Sequence, residues 1–176
     1  MVSTTGYLHA LAAGLAAALA CAAPAAAQTQ FDPYETVTGT AEAQEGDILI
    51  VGGRTIRLYG IDAPEMGQIC TDRRGREYDC GAGARNILTM IVRDRELDCT
   101  VYGQTIDGLQ AGRCFIGTAD VGRAMVLRGW AFAYRAFTHR YQDDEARAQD
   151  DRAGFWQGRA ERPWIWRSQQ IRASGG

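Results

Sequence analysis

Four side chains in one short stretch have the chemistry to cut a phosphodiester: Asp47, Arg57, Asp62 and Glu65. Hard cations such as calcium prefer carboxylate and carbonyl oxygens. Asp47 and Asp62 could supply two such ligands and the backbone carbonyl of Ala63 a third, with waters completing the shell. Glu65 follows a kink made by Pro64 and could activate an attacking water beside the metal. Arg57 could clamp a phosphate that gains negative charge in the transition state. The same residue types also occur in ordinary surface turns, and Asp62-Ala63-Pro64 is common turn chemistry. The elements that carry these residues therefore decide between the two readings.

Residues 36–41 (TVTGTA) alternate and are β-branched, as in a first strand. Ile48-Leu49-Ile50-Val51 and Arg54-Thr55-Ile56-Arg57-Leu58-Tyr59 flank Gly52-Gly53, a strong hairpin signal. That turn pairs Val51 with Arg54 and hence Ile48 with Arg57. Asp47 and Asp62 then lie together at the open end of the hairpin. Helical spacing of Ala82, Ala84, Ile87, Leu88 and Ile91 predicts a first helix over residues 81–92. Residues 96–103 and 110–117 read as two strands joined by a polar bend. Asp120 can cap a second helix over 121–128 that stops at Gly129, and residues 143–153 form a charged, amphipathic third helix. Five strands with about three helices predict a β-barrel with helices (α+β), for which the five-stranded oligonucleotide-binding barrel is the obvious architecture.

The net charge of −2 argues against a protein that holds nucleic acid by bulk positive charge. All nineteen cations are Arg, which a coding bias explains but which also suits local phosphate recognition. Residues 1–27 read as a signal peptide: an Ala- and Leu-rich tract without Asp, Glu, Lys or Arg, ending Ala25-Ala26-Ala27. A membrane anchor and a lipoprotein acylated at Cys21 rank below it. Residues 28–35 form a leader, 36–167 the domain and 168–176 a flexible tail. The expected product is exported, periplasmic or secreted, without a stable membrane span in the mature chain, and monomeric. Export leaves Cys70, Cys80, Cys99 and Cys114, which allow three connectivities. The pairs 70–80 and 99–114 are favoured. The first closes a short polar loop, and the second joins residues roughly opposite across a hairpin.

The motif order resembles the thermonuclease family, the staphylococcal-nuclease-like domains. Glu45-Gly46-Asp47-Ile48 resembles its DGDT-like turn, and Arg57 through Glu65 its Arg-containing strand running into an (I/V)D(A/T)PE turn. The segment 126–134 (VLRGWAFAY), Gly154-Phe155-Trp156 and Pro163-Trp164-Ile165-Trp166 extend the match from about Thr36 to Arg167. The cysteines resemble the exported branch of that family, which supports the favoured pairings. The resemblance implies a barrel of the staphylococcal nuclease type, a calcium ion, and hydrolysis of DNA or RNA. It assigns Asp47, Asp62 and the Ala63 carbonyl to the metal, Glu65 to the general base and Arg57 to the phosphate, with Tyr134 holding the nucleotide.

One motif departs. The family's second catalytic Arg belongs in a D-x-Y-G-R bend, and Leu109 stands in its place here. Losing one such preorganised donor typically costs ~10²–10³ in rate. Arg113 is four residues on, roughly 13 Å along an extended strand. Arg73, Arg74 and Arg76 in the Cys70–Cys80 loop could substitute, or that loop is simply solvated. The departure leaves two readings: a calcium-dependent nuclease, slow for want of this Arg, and a barrel that binds single-stranded nucleic acid or another polyanion without cutting it.

Overall fold

Gly52 and Gly53 both adopt positive φ, 55° and 80°, and fold the chain back on itself. The turn sets the register of β2 (Ile48–Val51) against β3 (Arg54–Leu58), with Val51 opposite Arg54 and Ile48 opposite Arg57. The hairpin prediction is met residue for residue. The structure is a computed structural model and describes Met1 and residues 35–105 and 107–175. The expected signal peptide, Cys21 and the leader up to residue 34 lie outside the described residues.

A long first strand, β1 (Thr36–Ala43), pairs antiparallel with both β2 and β7 (Glu96–Gln104), and β7 pairs with β8 (Gln110–Ile116). The barrel closes where β3 runs parallel to β8, Arg57 opposite Ala111. These five strands form the closed mixed barrel expected of an oligonucleotide-binding fold. The interior follows from strand alternation. Leu97, Cys99 and Val101 of β7 point inward, and Leu49, Val51, Ile56 and Leu58 complete the wall. Cys99 lies opposite Cys114 and is bonded to it inside this core.

Two short strands leave the barrel and shape the site. β4 (Ile61–Asp62) pairs with β10 (Phe132–Ala133), Asp62 opposite Phe132. Fully buried Glu145 anchors β10 by accepting the Ala133 N–H at 3.0 Å. β5 (Ile69–Thr71) and β6 (Glu77–Asp79) form a small hairpin bridged by Cys70–Cys80. This hairpin has no counterpart in the sequence reading, because its polar residues show no apolar alternation. A two-residue strand, β9 (Ala119–Asp120), completes the β8 edge.

Helix α1 (Cys80–Val92) starts one residue earlier than expected, capped by the Asp79 side chain on the Ala82 N–H. Its buried Ala84, Leu88 and Val92 close one side of the core. Helix α2 (Val121–Leu127) is capped by Asp120, and α3 (Gln142–Asp150) precedes the turn at Gly154–Gln157. The expected count of about three helices falls one short: α4 (Pro163–Ser174) is a fourth. Residues 168–174 are thus helical where a flexible tail was expected. Pro163 at the first position starts the helix, and no glycine interrupts it before Gly175. Its outer face is exposed, so the apolar periodicity that marks a helix in sequence is missing.

Helix α1 and the site loops approach at van der Waals limits. A Cβ on Gly81 would lie 1.8 Å from the Glu65 carbonyl oxygen, and one on Gly46 would lie 2.6 Å from the Cβ atoms of Ala63 and Ala84. Gly81→Ala is therefore expected to lower stability by about 1–3 kcal/mol through forced backbone displacement. Urea denaturation checks this, and an unchanged midpoint and slope would mean that the helix start does not constrain the Glu65 turn.

Candidate active site

Asp47 ends the turn into β2, and its carbonyl accepts the Leu58 N–H at 2.8 Å, which holds it beside the end of β3. The register places Arg57 next to it: Nη1 donates to Asp47 Oδ2 at 2.9 Å and Nη2 to Asp107 Oδ2 at 3.0 Å. Asp62 arrives by way of β4. Glu65 follows the Pro64 kink, where its N–H donates to Gln68 Oε1 at 3.1 Å and its carbonyl accepts the Gln68 N–H at 2.9 Å. The four residues singled out by sequence all line one cleft of about 570 Å³, together with Glu45, Asp107 and Tyr134.

Asp47 and Asp62 are only 3% and 4% exposed. Burial pushes the Asp47 carboxyl up to about 7; Arg57 opposes this shift, and Asp62, Glu65 and Glu45 add to it. Burial also raises Asp62, against the pull of Arg167. Glu45 is raised by burial and by Glu65. Asp107 is lowered, first by the Thr105 hydroxyl and then, against some burial, by Arg57. Burial alone would lower Arg57, but Asp47 and Asp107 outweigh it and raise the guanidinium. Buried carboxylates whose arginine partners do not fully offset the loss of water are the kind of oxygen ligands that a hard cation prefers. Among the described residues no three His, Cys, Asp or Glu side chains gather at metal-holding spacing. The candidate set is therefore two carboxylates completed by the Ala63 carbonyl and water. Ala63 itself is buried and follows Asp62 directly.

Two side chains absent from the sequence reading complete the geometry. Arg167 of α4 donates from Nη2 to Asp62 Oδ2 at 2.8 Å and from Nη1 to Asp62 Oδ1 at 3.0 Å, and it also bonds Glu65. Fully buried Gln68 donates to the Glu161 carbonyl at 2.7 Å, just before α4. Gln68 reaches Glu65 from three residues away in the chain, whereas only the return of α4 brings Arg167 to the site. Tyr134 does line the cleft, against Phe137 at 4.9 Å, and Phe137 stacks on Tyr59 at 5.7 Å.

Arg73, Arg74 and Arg76 do not line the cleft. They lie in the β5–β6 turn, where the Asp72 carboxylate accepts the Arg74 and Arg76 N–H groups and pairs with the Arg76 side chain. A bridge from Thr71 to Arg159 directs that hairpin towards residues 157–159. Arg113 is likewise held elsewhere, by Asp120 at 2.9 Å. Leu109 presents no charge, and its carbonyl accepts from the Thr105 N–H at 2.7 Å and from the Thr105 hydroxyl. Three of the four tryptophans pack on phenylalanines: Trp130 meets Phe155, while Trp156 and Trp164 meet Phe132.

The raised Asp47 carboxyl has a consequence for stability without metal. The folded chain keeps this proton up to about pH 7, whereas the unfolded chain releases it near 3.8. Stability from this group is complete below the lower value and is lost as pH rises through the higher one. In EDTA, Asp47→Asn should gain melting temperature relative to wild type as pH rises from about 5 to about 8. Differential scanning calorimetry checks the trend, and a gap that narrows with pH would contradict it.

Comparison with known proteins places the chain in a family. A family described as "Staphylococcal nuclease homologue" matches residues 55–158. The chain is 29% identical over 130 residues to "Succinoglycan biosynthesis protein ExoI" of Rhizobium meliloti (strain 1021), covering 72% of this chain and 68% of that one. It is 30% identical over 125 residues to "Probable staphylococcal-like nuclease CAN1" of Oryza sativa subsp. japonica, covering 69% of this chain and 35% of the relative. It is also 30% identical over 114 residues to "Probable endonuclease LCL3" of Uncinocarpus reesii (strain UAMH 1704), covering 58% and 38%. The chain thus spans little more than a third of the length of the last two. With its closed barrel and the extent of the family match, the chain belongs to the staphylococcal nuclease homologue family.

Proposed function

We propose that this protein is an exported, calcium-dependent nuclease that hydrolyses phosphodiester bonds of DNA or RNA in the Asp47–Asp62 cleft. The observation that carries the reading is the convergence of Asp47, Asp62, Glu65 and Arg57 on one cleft from four separate positions in the chain. A pure binding surface has no evident use for a carboxylate base beside two buried acids. The two disulfides support an oxidising compartment. No helix among the described residues is long and apolar enough to cross a membrane.

Asp47, Asp62 and the Ala63 carbonyl would hold calcium, which when bound supplies positive charge beside the scissile phosphate. Glu65 accepts the proton of the attacking water, its backbone fixed on both sides by Gln68. Arg57 turns from Asp47 and Asp107 to the phosphate, where its charge matches the developing negative charge. Tyr134 and Phe137 offer aromatic faces at the cleft for the nucleoside.

A second reading has its own observation. The 105–109 bend brings a carboxylate, Asp107, to Arg57 and has no cation at Leu109, which suits a module that binds single strands or another polyanion without cutting. Plasmid and single-stranded substrates separate the two. Calcium should support cleavage, EDTA should stop it, and Glu65→Gln should slow it by ~10²–10⁴. Tight binding with no cleavage under any of these conditions would establish the module instead.

A further inference from the structure

We propose that Arg167 is the second phosphate-contacting guanidinium of this cleft, supplied by helix α4 in place of the cation missing at Leu109. The inference rests on the cleft being the nucleic-acid site proposed above. Carboxylates dominate the lining: Glu45, Asp47, Asp62, Glu65 and Asp107 face it, against Arg57 and Arg167. A phosphodiester adds negative charge to that surplus. Arg57 is engaged with Asp47 and Asp107, so the Asp62–Glu65 side depends on Arg167.

Reach supports the assignment. A water held by Glu65 lies about 3 Å from the carboxylate and about 3 Å from the phosphorus it attacks, which puts the phosphate within roughly 6 Å of Glu65. The Arg167 tip already touches Glu65, which places it next to that position. Its planar fork, now bidentate on Asp62, matches two phosphate oxygens equally well.

Docking of α4 does not explain the contact. Pro163 is buried at the helix start, Trp164 packs on Phe132 and Tyr134, Arg162 lies over Phe132 and Trp164, and Gln68 holds the Glu161 carbonyl. These contacts seat the helix before residue 167. The Arg167 side chain remains 39% exposed and is open to the cleft. In the empty cleft it neutralises Asp62 and Glu65. With substrate bound it moves to the phosphate.

Fluorescence anisotropy in calcium, with a labelled single-stranded DNA and the same sequence in RNA, tests this in a Glu65→Gln background that holds substrate without cutting it. Arg167→Ala should weaken binding of the preferred strand by about tenfold or more. Arg172→Ala, the same charge change on the exposed part of α4, should leave it within about twofold. In the active background Arg167→Ala should lower kcat by ~10²–10³, and Arg167→Lys should recover part of the loss. Calcium affinity of the protein alone should hold or tighten in Arg167→Ala, because a competitor for Asp62 is gone. Equal affinities for Arg167→Ala and Arg172→Ala would overturn the proposal. So would a fall in kcat that merely tracks weaker calcium binding. Should Arg167→Ala fail to fold, Arg167→Gln, which also removes the charge, carries the same comparisons against Arg172→Gln. Absence of cleavage by the wild type would refute the nuclease reading alone, since the binding comparison still decides the role of Arg167.

Discussion

Asp47 and Asp62 are buried side by side at the end of a barrel, and the rest of the structure is organised around that unfavourable placement. A buried carboxylate without compensating charge takes up a proton or destabilises the fold. Here two arginines from distant parts of the chain offset the cost: Arg57 from the barrel wall and Arg167 from the last helix. The compensation is incomplete, since Asp47 is still pushed up to about 7. Residual demand for positive charge at such a site is what the proposed cation would meet.

The barrel supplies the rigidity this needs. The β2–β3 register fixes Arg57 beside Asp47, and the parallel closure of β3 on β8 fixes the end of that hairpin. Glu65 is set by a different device, a ring of contacts that runs from its backbone to Gln68, to the Glu161 carbonyl, along α4 to Arg167 and back to its own carboxylate. Each link is local or hydrogen-bonded, so the position of Glu65 is tied to the seating of α4. The barrel thus holds Asp47 and Arg57, while the C-terminal segment reaches Asp62 and Glu65 through Arg167.

The sequence made the barrel half legible and the ring illegible, for physical reasons. Gly52-Gly53 dictates a two-residue turn, so the pairing of Ile48 with Arg57 could be read directly. Strand alternation put Cys99 opposite Cys114 by the same logic. Arg167 carries no comparable mark, because its role comes from tertiary return over a separation of about a hundred residues. Gln68 and Glu145 are buried polar residues that bond backbone groups, Gln68 both three residues away at Glu65 and far along the chain at Glu161, and no periodicity announces them. Arg73, Arg74 and Arg76 follow Glu65 closely in sequence, but the Cys70–Cys80 bridge folds them into their own hairpin, off the cleft lining. Distance in sequence conceals Arg167.

The central claim is that the two buried aspartates form a cation site rather than a closed ion-pair network. Calorimetric titration of the purified protein with calcium tests it most directly. The account predicts binding of a single ion per chain that is lost in Asp47→Asn and, separately, in Asp62→Asn, with both variants folded. No calcium binding by the wild type, or binding that survives both substitutions, would contradict it.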